Sequence, residues 1–152
     1  MLIGLISDTH GLLREEVAAY LKGSDLILHA GDVNKPEVLE ALRQIAPLKV
    51  VRGNNDKGEW AKQLPLYEDF ILEGLHFYMV HQKKDLPDDL SLYDVVITGH
   101  SHRYHDTIEK EIHYLNPGSC GKRRFDLPVT MALLQIEKGQ LRVKAIDLNS
   151  TK

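Results

Sequence analysis

The sequence predicts an α/β domain in which two β-sheets pack face to face with helices outside. Three observations carry this expectation. The first half alternates short apolar runs with helical stripes. The second half is rich in strand pairs joined by tight turns. Polar clusters of Asp, Asn and His lie where the apolar runs stop.

Residues 2–6 are apolar on both faces, the pattern of a buried strand. Residues 14–22 form a helix with Val17, Ala18 and Leu21 on one face, ended by Gly23-Ser24. Residues 26–30 are a second buried strand. Residues 35–46 are a second helix, with Pro36 in its first turn and Val38, Leu39, Leu42 and Ile45 as its stripe. Residues 48–51 are a third strand. This β-α-β-α-β order argues for parallel strands joined by right-handed crossovers. Beyond it, residues 69–72 and 76–80 flank Glu73-Gly74, residues 104–108 and 112–115 flank Lys110-Glu111, and residues 129–136 and 141–146 flank Lys138-Gly139. All three read as hairpins. Residues 94–98 are another buried strand, closed by Gly99. No repeat, low-complexity stretch or linker divides the chain, so a single domain over 1–152 is expected.

Composition narrows the function classes. The 152 residues are 43% apolar and 27% charged with net charge −3, ordinary for a globular chain and contrary to a broad nucleic-acid-binding face. The single cysteine, Cys120, excludes an internal disulfide and a thiolate zinc knot, fits a reducing compartment, and is expected to pack or cap a loop. The N-terminal apolar run meets Asp8 without the features of a secretory signal, and no stretch has the length of a membrane span. A cytoplasmic protein is therefore expected, with no membrane partner. Monomer and homodimer both remain open.

Five strands end in candidate ligands: Asp8-Thr9-His10, Gly31-Asp32, Gly53-Asn54-Asn55-Asp56, Val80-His81 and Gly99-His100-Ser101-His102. In open α/β sheets ligands bind at that carboxyl edge. In extended backbone Asp8 and His10 point the same way, as do His100 and His102, with Cα atoms roughly 6.5–7 Å apart. Two such pairs suit two metal ions about 3.5–4 Å apart. Gly31, Gly53 and Gly99 let the backbone come close. Each piece alone has an ordinary reading as a turn, cap or loop. The ordered set points to metal.

The run Asp-x-His, Gly-Asp, Gly-Asn, lone His and Gly-His-x-His, followed by Asn116-Pro117-Gly118-Ser119, resembles the calcineurin-like metallophosphoesterase family over residues 1 to about 120. Together with Val51-Arg52-Gly53-Asn54 it looks like the compact bacterial and archaeal phosphodiesterase branch. The resemblance implies a four-layer αββα sandwich. It implies that Asp8, His10 and His102 hold one metal, that Asn54, His81 and His100 hold a second, and that Asp32 bridges both. Asp32, Asn54, Asn55 and His100 are expected to bear most directly on the reaction. Many relatives carry His where this chain has Asn55, which can donate a hydrogen bond but cannot act as a general acid. Asp56 is at most a partial substitute, since a carboxylate is normally ionised near neutral pH.

Two divalent cations set against Asp8, Asp32 and a shared hydroxide leave the site net positive, able to polarise a phosphoryl oxygen while the hydroxide attacks in line. Imidazole, amide and carboxylate ligands favour Mn²⁺, Fe²⁺, Ni²⁺ or Zn²⁺ over Mg²⁺; the resemblance favours manganese. The expected partner is a small-molecule phosphoester, with a phosphodiester preferred over a phosphomonoester because of Asn55. A protein-binding scaffold on the same fold is the alternative from another class. Lys122, Arg123 and Arg124 read either as a phosphate-gripping edge or as a solvated loop. His29 is expected to support the site, His76 and His113 to be structural, and His105 to stand apart.

Overall fold

The computed structural model describes residues 1–124 and 126–148. The chain runs β1 (Leu2–Ile6), α1 (Glu15–Leu21), β2 (Leu26–His29), α2 (Pro36–Arg43), β3 (Leu48–Val50), α3 (Glu59–Lys62), β4 (Tyr67–Leu72), β5 (Leu75–Val80), a 3-10 turn (Lys83–Asp85), β6 (Val95–Ile97), β7 (Tyr104–Glu109), β8 (Ile112–Pro117), β9 (Thr130–Glu137) and β10 (Gln140–Asp147). Two five-stranded sheets result, ordered β10-β9-β1-β2-β3 and β4-β5-β6-β8-β7. The strands β1, β2 and β3 are parallel, as expected from the alternating first half. The three hairpins pair β4 with β5, β7 with β8 and β9 with β10. Glu73-Gly74, Lys110-Glu111 and Lys138-Gly139 all take positive φ, the turn geometry that matches strand twist.

Apolar periodicity decides the layers. Val17, Leu21, Val38, Leu39 and Leu42 of α1 and α2 pack with Ile6, Ile27, Val50, Met131 and Ile146 on the outer face of the first sheet. Ile3, Leu5 and Leu28 of that sheet face the other way, against Phe77, Met79, Val95, Ile97 and Leu115 of the second. Each fully buried Leu, Ile or Phe contributes about 1.5–3 kcal/mol of transfer free energy, so this inter-sheet layer fixes how the sheets sit together. Among the described residues no α-helix packs on the outer face of the second sheet. The parallel crossover from β5 to β6 holds only the 3-10 turn, so the fourth layer is thin. That face instead carries Tyr67 stacked on Tyr78, with Tyr93 edge-on to Tyr78. Among the described residues no helix is long and apolar enough to cross a membrane.

The topology puts the carboxyl ends of β1, β2 and β3 on one edge of the first sheet and those of β5 and β6 on one edge of the second. Within the first edge Asp8 N–H donates to Gly31 O (2.9 Å), and within the second Gly99 N–H donates to His81 O (3.0 Å). The two edges are joined by His81 Nδ1, 2.7 Å from Ala30 O, and by His100 N–H, which donates to Asp8 Oδ2 at 3.1 Å. The loops that leave these strands therefore meet in one place.

Candidate metal centre

Asp8 follows β1 and is fully buried. Ser7 Oγ–H (2.6 Å) and His100 N–H (3.1 Å) donate to its Oδ2. Its other oxygen, Oδ1, has no hydrogen-bond partner and faces three imidazoles: His102 Nε2 at 3.4 Å, His10 Nε2 at 3.6 Å and His81 Nε2 at 3.8 Å. Asp32 follows β2. Its Oδ2 lies 3.2 Å from His81 Nε2 and 3.7 Å from His10 Nε2. One imidazole of each group thus looks at both carboxylates. The ligand atoms fall into two groups, Asp8 with His10 and His102, and Asp32 with His81 and His100; within each group they lie within 4.8 Å of one another. Asn54 joins the second group, its Oδ1 3.1 Å from His100 Nδ1.

All seven residues named from the sequence as metal ligands are therefore brought together, but through a different backbone geometry from the one expected. Asp8 and His10, and His100 and His102, do not alternate along extended backbone. Asp8, His10, Asp32, His100 and His102 adopt left-handed backbone with φ of 55°, 48°, 61°, 72° and 63°. Such conformations cost about 1–3 kcal/mol each for residues with a Cβ and persist only where surrounding contacts over-determine them. Here the contacts are backbone hydrogen bonds that cross the loops, including His10 N–H to Asp32 O at 3.0 Å and Gly11 N–H to Val33 O at 2.8 Å.

A hydrogen bond fixes the His81 tautomer. His81 Nδ1–H can donate only to the Ala30 carbonyl, which leaves the Nε2 lone pair aimed at the carboxylates; this buried Nε2 has no hydrogen-bond partner. His10 Nδ1 lies 3.1 Å from Asn34 Nδ2, the amide nitrogen. With that amide turned so that Oδ1 faces the ring, Asn34 accepts the Nδ1–H. That orientation leaves His10 Nε2 with a lone pair. His10 Nε2 and His102 Nε2 are 3.3 Å apart, a separation at which two ring nitrogens either share a proton or share a cation.

Electrostatics agree. Burial by itself raises the pKa of Asp8, but the facing His10 and His102, with His81 and Ser7, overcome it and hold the carboxyl well below the usual range. Burial likewise raises Asp32; His81 and the Asn55 N–H outweigh it, and the group ends lowered. Burial lowers His81, yet Asp32 and Asp8 leave its pKa raised. A buried pair of carboxylates kept ionised among imidazoles asks for cations. The donor set of imidazole, carboxylate and amide oxygen, with Asp8 Oδ1 and His81 Nε2 both buried and unpaired, fits divalent metals.

Asn55 gives its backbone N–H to Asp32 Oδ1 (2.9 Å) and its side-chain amide to Oδ2 (3.2 Å), so it clamps Asp32. Asp56 is engaged by backbone. Its carboxylate accepts from the backbone N–H groups of Gly53 (2.9 Å), Asn34 (2.7 Å) and Asp32 (3.1 Å), which ties the loops after β2 and β3 together. Sequence reasoning reaches neither Asn34 nor this tying role of Asp56. The only sequence trace of Asn34 is its place two residues after Asp32, which many turns share. Gly31 takes φ of +105°, and a Cβ there would stand 2.7 Å from His81 Nδ1, so the glycine is what lets the imidazole close in.

The remaining residues fall into place. His29 is fully buried and accepts the Gly31 N–H on Nδ1 while Nε2–H meets Thr9 Oγ1; burial pushes its pKa down to about 4, so it is neutral and braces the loop after β1. His76 pairs with Asp69 and His113 with Asp106 on the second sheet. His105 contacts Thr107. Cys120 is fully buried and packs among the helices of the first sheet. Lys122, Arg123 and Arg124 are exposed.

A double-sheet α/β sandwich that gathers carboxylate, amide and imidazole groups at the carboxyl edge of both sheets defines a metal-site domain. Comparison with known proteins supplies its family. The calcineurin-like phosphoesterase superfamily domain matches residues 1–139, and the chain belongs to that superfamily, whose members use divalent metal ions. It is 33% identical to a probable metallophosphoesterase of Methanothermobacter thermautotrophicus, over 88% of this chain and 85% of that protein. It is 29% identical to a phosphodiesterase of Methanocaldococcus jannaschii, over 93% and 97%. Among solved structures, a novel archaeal phosphodiesterase superposes with a TM-score of 0.81 at 25% identity, over 96% of this chain and 100% of that one. Vps29 of Chaetomium thermophilum shares the fold, with a TM-score of 0.77 at 19% identity over 97% and 95%.

Proposed function

We propose that this chain is a two-metal phosphodiesterase that hydrolyses small phosphodiesters. One observation supports the reading above others: seven side chains from five strand ends converge on a point where Asp8 Oδ1 and His81 Nε2 are buried without partners. Asp8, His10 and His102 would hold one cation, and Asn54, His81 and His100 the other. Asp32, within reach of both His10 and His81, would bridge them. Bound there, two divalent cations supply Lewis acidity toward phosphoryl oxygens and make a water more acidic.

The chain's own residues do the rest. Asp32 is held in one orientation by both N–H groups of Asn55. Asp8 is held by Ser7 and the His100 N–H, so the ligands are in place before substrate arrives. The side chain after the Gly53-Asn54 pair is an amide engaged with Asp32, so leaving groups that depart without protonation are favoured. This supports diesters with acidic leaving alcohols over alkyl monoesters. The family resemblance favours manganese, and the donors are compatible with Mn²⁺, Fe²⁺, Ni²⁺ and Zn²⁺.

The test pairs bis(p-nitrophenyl) phosphate with p-nitrophenyl phosphate on metal-loaded protein. The diester should turn over faster, and Asp32→Ala should abolish both activities. Faster monoester cleavage would reverse the substrate assignment, and an active Asp32→Ala would remove Asp32 from its bridging role. A scaffold reading has its own observation in the exposed Leu66, Ile71 and Leu92. Tight metal binding without turnover on any phosphoester would favour it.

A further inference from the structure

Beside the candidate metal centre lies a cleft of about 590 Å³, within the range of sites that enclose small organic ligands. Asn54 and His81 of the candidate metal centre are among its lining residues, so an occupant of the cleft lies next to a phosphoryl group held there. Its walls are unlike the rest of the edge. Tyr67 and Tyr78 line it as a parallel stack, with centroids 5.3 Å and planes 12° apart. Tyr78 is 6% exposed and anchors the pair, whereas Tyr67 stays 53% exposed. A half-open tyrosine backed by a buried one is a rigid flat platform that needs no rearrangement to accept a planar ring.

The polar groups are placed for a ring with hydrogen-bonding edges. Arg52 lines the cleft, and its guanidinium has no hydrogen bond or ion pair among the described residues; its backbone is pinned by N–H to Pro65 O at 2.8 Å. Such a group suits a phosphate oxygen or a carbonyl of the occupant. Gln82 and Asp85, on and beside the 3-10 turn that crosses from β5, line the same cleft and supply both donors and an acceptor. An acyl chain would leave these polar groups unpaired, and a simple alkyl ester would leave the platform unused.

We propose that this cleft is a nucleoside subsite, in which Tyr67 stacks the base of a nucleoside phosphodiester, Gln82 and Asp85 meet the base edge, and Arg52 meets the phosphate side. The inference rests on the phosphodiesterase reading and names its substrate class. With a net charge of −3, the occupant is a mononucleotide ester rather than a polymer strand.

The test compares two esters with the same leaving group, the p-nitrophenyl ester of thymidine 5′-phosphate and methyl p-nitrophenyl phosphate, on manganese-loaded protein. The wild type should favour the nucleoside ester at least about tenfold in kcat/KM, the order of one base–aromatic stack. Tyr67→Leu should cut that ratio about tenfold. A wild-type ratio near one, or a ratio unchanged in Tyr67→Leu, overturns the subsite. Absence of metal-dependent turnover on both esters sinks the phosphodiesterase reading instead. In that event saturation-transfer NMR with thymidine 5′-monophosphate decides the subsite alone. Saturation transfer to the base protons that disappears in Tyr67→Leu supports it, and no transfer to the base in the wild type overturns it.

Discussion

Replacing Gly53 by alanine probes how closely the loop after β3 is pressed against Asp32. A Cβ built at Gly53 stands 2.1 Å from Asp32 Oδ1 and 2.2 Å from the Asp32 backbone nitrogen, where ordinary contact begins near 3.4 Å. Rotating the Asp32 side chain relieves only the first clash. The second requires the backbone of one loop to move by about 1.2 Å, and dense interiors resist such shifts. Asp56 opposes the movement as well, because its carboxylate holds the N–H groups of Gly53 and Asp32 together. A displacement near 1 Å at a reacting geometry costs roughly 10²-fold, equivalent to about 2.7 kcal/mol of barrier. Gly53→Ala should therefore lose about two orders of magnitude in kcat/KM on bis(p-nitrophenyl) phosphate and retain less metal by elemental analysis. Gly23→Ala is the control. Its φ is +83° with nothing within 4 Å, so it should cost about 1 kcal/mol of stability while metal content and turnover persist. A Gly53→Ala protein with wild-type metal content and kcat/KM within threefold would refute the reasoning.

Asn34→Ala removes the group that fixes the His10 ring and should weaken metal binding by roughly 10–100-fold in chelator competition, as outer hydrogen bonds to ligating histidines generally do; unchanged affinity would show that the ring needs no such partner. A proton and a cation compete for His81 Nε2, and the histidine's pKa is raised by Asp32 and Asp8 against the effect of burial. The protonated form therefore persists to higher pH than in an ordinary histidine, and apparent metal affinity should fall as pH drops through that raised value. A flat profile from pH 8 to 5.5 would contradict this. Burial pushes the Cys120 thiol up to about 12, so alkylation at pH 8 should be negligible in the native protein and complete in denaturant; fast native labelling would show that the first core opens readily.

How much of this was legible in the sequence depends on what each residue's role requires. Strands and hairpins were readable because they follow from local period: β1 is apolar on both faces, and Lys138-Gly139 can hardly be other than a turn. The one-turn helix α3 was missed because four residues carry no period. The ligands were readable because each sits where an apolar run stops. Their backbone was not, since left-handed φ at Asp8, His10 and His100 is imposed by hydrogen bonds from distant loops rather than by neighbours in sequence. Asp56 illustrates the same limit. Its side chain is chemically suited to catalysis, and only the three backbone N–H groups that converge on it reveal that it ties loops together. Asn34 was invisible for the mirror-image reason, a polar residue in a loop whose partner lies across the fold.

The most direct test of the metal-pair claim is metal counted per chain after equilibration with excess Mn²⁺ and removal of unbound ion. The wild type should retain two ions and Asp32→Ala fewer than two. A wild-type chain that keeps one ion or none would contradict the account, whatever its fold resembles.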